Sequence, residues 1–86
     1  VIIRHMRFRP GPSTQTSDNV DAILIDGENI IIDHASFSWG TDETLNVVGN
    51  GGTSGGAAVP NTRNLTIQWS MIYESLRNST HTSANH

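Results

Sequence analysis

One nine-residue pattern occurs three times in this chain, and that recurrence limits the possible architecture more than any other feature. Val1-Ile2-Ile3-Arg4-His5-Met6-Arg7-Phe8-Arg9 overlies Ile30-Ile31-Ile32-Asp33-His34-Ala35-Ser36-Phe37-Ser38 at an offset of 29 residues. Both copies hold Ile-Ile-x-His with a Phe three residues after the His. Leu65-Thr66-Ile67-Gln68-Trp69-Ser70-Met71-Ile72-Tyr73 repeats the pattern at a further offset of 35. Within a copy the apolar residues alternate, break step once and alternate again (Ile30, Ile32, then Ala35, Phe37). That pattern predicts a short strand, a one-residue bend and a second strand. Between the copies, Asp21-Ala22-Ile23-Leu24-Ile25 overlies Glu43-Thr44-Leu45-Asn46-Val47 at an offset of 22, placing Ile23 over Leu45 and Ile25 over Val47.

Offsets that differ only by loop length suit stacked turns with insertions on one side. The expected fold is therefore all-β, a parallel β-helix of which the chain supplies about three rungs. Ile, Val and Leu fill the bore, and Gly27, Gly40 and the run from Gly49 to Gly56 mark turns and one long loop. Residues 1–86 are read as the central part of a single β-helix domain, with a Gly-rich loop at about 49–64. A Greek-key sandwich also supplies short strands, but it gives no reason for one pattern to recur in register.

Composition agrees with strands and turns. Ile and Val number fourteen against four Leu, and Ser, Thr, Asn and Gly make up 34 of 86 residues. There is no Cys, which excludes disulfides and thiolate zinc sites. The sequence opens on Val1 in mid-strand pattern, so the natural chain is expected to begin earlier. Open-ended rungs are expected to pack on the remaining rungs of the same helix or on another copy of the chain. No apolar run reaches the length of about 18 residues that spans a bilayer, so no membrane partner is expected.

A formal net charge of −3, with five Arg and no Lys, argues against a nucleic-acid surface. The charges are unevenly spread. Arg4, Arg7 and Arg9 lie within six residues, and seven of the eight acids fall between Asp18 and Glu43. The acidic stretch is either a cation site or a solvated face with Asx turns.

The segments Asp21-Ala22-Ile23, Ile30-Ile31-Ile32-Asp33-His34-Ala35-Ser36-Phe37-Ser38-Trp39 and Asp42-Glu43-Thr44-Leu45-Asn46-Val47 resemble pectate lyases of the parallel β-helix type. Leu65-Thr66-Ile67-Gln68-Trp69-Ser70 resembles that family's next rung, and Asn78-Ser79-Thr80-His81 with His86 is similar to a His-bearing loop beyond it. The resemblance implies a right-handed parallel β-helix and a secreted enzyme that cleaves pectate, an acidic polysaccharide, by calcium-assisted β-elimination. It places Asp21 at one calcium-ligand position, and Asp42 and Asn46 at two more. Asn46 departs from the family's carboxylate, although its amide oxygen remains a hard ligand of the kind Ca²⁺ takes. In the family an Arg removes the C5 proton of the sugar, and no residue here stands in a matching motif. A non-catalytic β-helical carbohydrate-binding or structural module on the same scaffold is the alternative.

Other residues are open to two readings. Trp39, Arg77, His81 and His86 are candidates for substrate contact, Trp39 because it ends a strand beside Gly40 and the acidic pair. Loop histidines without a ligand are the plainer account of His81 and His86. Trp69 overlies His34 and is expected to pack between rungs. Asp33-His34 is read as structural, and the Arg4, Arg7 and Arg9 strip as an outward strand face. Asn64-Leu65-Thr66 and Asn78-Ser79-Thr80 are glycosylation triplets that matter only in a eukaryotic secretory host.

Overall fold

A computed structural model describes residues 1–12, 20–49 and 62–76, together with the backbone of 53–54 and 57–58. Ten short strands follow in chain order: β1 (Ile2–Arg4), β2 (Arg7–Phe8), β3 (Leu24–Ile25), β4 (Glu28–Asp33), β5 (Ser36–Phe37), β6 (Asn46–Val47), β7 (Thr53–Ser54), β8 (Ala57–Ala58), β9 (Arg63–Gln68) and β10 (Met71–Ile72). There is no helix among the described residues.

The chain visits three sheets in turn and then returns to the first. One sheet is ordered β1-β4-β9, the second β2-β5-β10, and the third pairs β3 with β6. Every pair in these sheets is parallel. Parallel neighbours require a crossover between them, here one full circuit of the other sheets. The arrangement is consistent with a β-helix and excludes the Greek-key alternative, whose neighbours would run antiparallel. The only antiparallel pair among the described residues is β7 with β8, inside the stretch expected to be a Gly-rich loop.

Register follows the repeat. Ile3 pairs with Ile32 and Ile32 with Ile67, Phe8 pairs with Phe37 and Phe37 with Ile72, and Ile25 pairs with Val47. Like side chains therefore stack along the bore. Ile32 and Phe37 are fully buried, with Ile30, Ile25, Ala22 and Ala35 beside them. Ile3, Phe8, Leu65 and Ile67 pack on this middle layer from the circuits on either side. The Phe8 and Phe37 rings stack with centroids 5.2 Å apart and planes tilted by 15°. Burying a Phe or Ile side chain stabilises by about 1.5–3 kcal/mol, and the middle circuit collects most of that gain.

Corners repeat as well. His5, His34 and Trp69 each take a left-handed conformation, with φ of 55°, 51° and 49°, between the first-sheet and second-sheet strands. Asn29 and Asn64 (φ 59° and 53°) do so at the start of β4 and β9, and the Asn64 amide donates to Asn29 Oδ1 at 2.9 Å. Left-handed residues other than Gly carry a steric cost of about 1–2 kcal/mol each. Bonds between circuits hold them there, His5 N to Asp33 O at 3.2 Å and His34 N to Gln68 O at 3.2 Å.

Candidate functional site

The acidic residues meet where the chain enters the third sheet. Approach segments of successive circuits are tied by Thr41 N to Val20 O (2.9 Å), Ala22 N to Glu43 O (3.0 Å) and Asn46 N to Ile23 O (2.9 Å). Gly40 opens the second approach because no side chain fits there. A Cβ at this position would collide with the Glu43 carbonyl, lying 2.8 Å from its carbon, and would come within 3.1 Å of Ala22 N. The buried Thr41 closes the turn, its Oγ1 accepting from Val20 N at 3.0 Å.

This backbone gathers three carboxylates. One oxygen each from Asp21, Asp42 and Glu43 lies within 4.8 Å of the others. Asp21 is the hub: Oδ1 accepts from Glu43 N at 3.2 Å, and Oδ2 accepts from the Asn46 amide at 3.0 Å. Glu43 has its pKa raised above the ordinary 4.5, first by a carboxyl–carboxylate hydrogen bond with Asp21, then by burial, then by the charges of Asp42 and Asp21. Three hard oxygen donors crowded by their own repulsion form a donor set that suits a divalent cation of the calcium type. Asn46 here donates its NH₂ to Asp21. A half-turn of its amide would present the carbonyl oxygen instead.

Asp21, Asp42 and Asn46 are thus brought together, and Glu43 is the member that residue-by-residue comparison passed over. A signal for it was present in the spacing, since the offset of 22 sets Asp21 against Glu43. Glu43 also borders a recess of about 460 Å³, lined further by Leu45, Ile72, Tyr73 and Glu74.

Trp39 is not a member of the carboxylate cluster but is tied to that recess through Glu74. It is partly exposed, its Nε1 donates to Glu74 at 3.1 Å, and the Arg9 guanidinium lies 6.0 Å from its ring centroid. Arg9 is not an outward strip residue. It bonds the backbone oxygen of Ser36 at 3.0 Å, Ser36 Oγ at 2.9 Å and the Tyr73 hydroxyl, and it stacks 5.1 Å over the Tyr73 ring. Arg4 does face outward and pairs with Asp33 at 3.1 Å. Arg77, His81 and His86 lie outside the described residues.

Asp33 and His34 do not fall on opposite faces, because the left-handed corner at His34 (φ 51°) breaks the alternation and brings the two side chains together. The Asp33 carboxylate is buried and takes Arg4 Nε, His34 Nδ1 at 2.9 Å and Gln68 Nε2 at 3.0 Å. Its pKa is lowered, chiefly by the Gln68 hydrogen bond, against a burial penalty that ranks next, and further by the bond and charge of His34 and the charge of Arg4. Trp69 stacks on His34 of the preceding circuit, with centroids 6.3 Å apart, as expected of a side chain packed against a neighbouring rung.

Comparison with known proteins agrees with the resemblance to pectate lyases. Over 75 residues the chain is 39% identical to Probable pectate lyase C of Aspergillus flavus, and equally to that of Aspergillus oryzae. Over 76 residues it is 36% identical to Probable pectate lyase C of Emericella nidulans. The sequence is pectate-lyase-like. Each match takes in 87% of this chain, and the chain spans about 15% of the length of these curated relatives. No family model matches the chain. No solved structure matches it either.

Proposed function

We propose that this chain is part of a right-handed parallel β-helix that belongs to a secreted, calcium-dependent pectate lyase and cleaves polygalacturonate by β-elimination. The observation that carries the proposal is the convergence of Asp21, Asp42 and Glu43 in a sequence similar to fungal proteins named pectate lyase. Asp21, Asp42 and Glu43 would hold the cation, with Asn46 turning its carbonyl oxygen inward. When bound, calcium would neutralise the uronate carboxylate and stabilise the negative charge that develops as the C5 proton leaves. The chain's own residues fix the donors. Gly40 lets the second approach run against Ala22, and Thr41 locks that turn so that Asp42 and Glu43 face Asp21.

One observation favours a non-catalytic carbohydrate-binding module instead. Three of the four described arginines are engaged away from the cluster: Arg4 pairs with Asp33, Arg9 is bound to Ser36 and Tyr73, and Arg63 pairs with Glu28 at 3.3 Å. The fourth, Arg7, lines a different groove. None of the four bonds a carboxylate of the cluster among the described residues. The two readings separate on incubation of the full-length protein with polygalacturonate, with and without calcium, while the ultraviolet absorbance of the unsaturated product is followed. A calcium-dependent rise supports the lyase. No rise in either condition refutes it.

A further inference from the structure

On the outer face of the corner between the first and second sheets lies a groove that shares no residue with the acidic cluster. It has a volume of about 310 Å³ and is lined by His5, His34, Trp69, Arg7, Ser36 and Met71, among others. Its wall is a column of flat rings. His5 and His34 have centroids 5.3 Å apart, and His34 and Trp69 lie 6.3 Å apart with planes only 23° from parallel. The left-handed conformation that recurs at His5, His34 and Trp69 carries these rings at one corner of successive circuits.

Charge in the groove is one-sided. The Asp33 carboxylate beneath it is saturated by Arg4, His34 and Gln68. The exposed guanidinium of Arg7, by contrast, has no ion-pair or hydrogen-bond partner among the described residues, so its charge is available to a visitor. His34 commits Nδ1 to Asp33, which leaves Nε2 to exchange a hydrogen bond with a hydroxyl or carboxylate. An indole, a guanidinium with no partner among the described residues and a spare imidazole nitrogen along one groove match a ring with an apolar face, hydroxyls and a carboxylate.

We infer that this corner groove is a second carbohydrate site that binds a hexuronate unit of an acidic oligosaccharide, with Trp69 as the stacking platform and Arg7 as the carboxylate contact. Ligand class is the one thing it takes from the lyase reading; neither calcium nor bond cleavage is involved. A site of this kind would hold the polymer at a second point and raise its effective concentration at the acidic cluster.

The experiment is isothermal titration of the full chain with trigalacturonate in the presence of a chelator. Trp69→Ala and Arg7→Gln are each expected to weaken binding by about tenfold or more, the loss that follows from removing one charge-assisted hydrogen bond or a stacking face. A neutral galactose trisaccharide should bind as weakly as the Arg7→Gln chain binds trigalacturonate. An Asp21→Asn, Glu43→Gln chain should bind like the parent. Trp69→Phe, which retains a flat face, should recover part of the affinity and guards against misfolding of the alanine variant. Absence of binding in chelator, or equal affinity across the parent, Arg7→Gln and Trp69→Ala, would overturn the inference. So would loss of binding confined to the Asp21→Asn, Glu43→Gln chain. Arg7-dependent binding without cleavage of polygalacturonate would remove the lyase reading and leave this site standing; cleavage without binding in chelator would do the reverse.

Discussion

Replacing Glu43 by Gln should make the cation-free protein more stable and the calcium-loaded protein less so. Carboxylate oxygens of Asp21, Asp42 and Glu43 lie within 4.8 Å of one another. At that spacing, and at the effective dielectric of about 20 suited to pairs near a surface, two unit charges repel by about 3.5 kcal/mol. Glu43 is exposed, and solvent screening brings the net cost nearer to about 1 kcal/mol. Gln removes that charge and keeps an NH₂ that can donate to Asp21, the partner that heads the causes of the raised Glu43 pKa. The expected gain in unfolding free energy, in chelator at neutral pH, is about 1 kcal/mol, within the usual range for a single substitution.

The sign of the pH dependence is fixed by the same geometry. A raised pKa means that the folded state holds its proton more tightly than the unfolded chain does. Parent stability should therefore fall as pH rises from the ordinary Glu value of 4.5 through the raised folded value, and that fall should vanish in Glu43→Gln. Calcium binds the folded state and adds stability that grows with its free concentration. This increment should be large in the parent at neutral pH and smaller in the variant. Urea unfolding at several pH values, with chelator and with calcium, measures each quantity. A variant less stable than the parent in chelator, together with a parent unmoved by calcium, would refute the repulsion reasoning.

Three further outcomes are expected. Ile32→Ala removes a fully buried side chain stacked between Ile3 and Ile67 and should cost about 2–5 kcal/mol in denaturant unfolding. Gly40→Ala forces a Cβ against the Glu43 carbonyl; it should destabilise by about 1–3 kcal/mol and weaken calcium binding measured by titration, because the backbone that carries Asp42 and Glu43 must shift. Asp33→Asn should abolish an acid-side loss of stability: the lowered Asp33 pKa gives stability that is present above its ordinary 3.8 and lost as pH falls through the depressed folded value, which acid titration of unfolding by circular dichroism reads directly.

Much of the strand plan is legible in the sequence because parallel in-register stacking writes itself there as constant offsets. The pairs Ile3–Ile32, Ile32–Ile67 and Leu24–Asn46 reproduce spacings of 29, 35 and 22. What stayed hidden depends on contacts that no local pattern encodes. Arg9 looked like one more polar residue of an alternating strand, and its role rests on Tyr73, 64 residues away. The bend after each first-sheet strand is legible, but left-handed backbone at Trp69 is not, since Gly, Asn, Asp and His are the residues that favour it. The third carboxylate was missed for another reason. Matching positions to a family motif selected Asp42 and Asn46, whereas the molecule's own spacing selects Glu43 as the residue opposite Asp21.

That last difference shows how closely the site depends on the core. Asp21 and Glu43 meet because Leu24 pairs with Asn46 and Ile25 with Val47, and the same pairing turns Ile25 into the bore, where it is buried. A slip of one residue would turn Ile25 outward and bring Asp42 or Thr44 opposite Asp21, losing apolar burial and donor set together. Burial of Ile25 therefore opposes the repulsion among the carboxylates, and the register that the core enforces is what keeps like charges close. A bound cation would reverse the sign of that opposition. Core and cluster would then favour the same register, so calcium should protect the Ala22, Asn46 and Val48 amides, which bridge the two approaches, from hydrogen exchange more than the Ile32 amide deep in the first sheet.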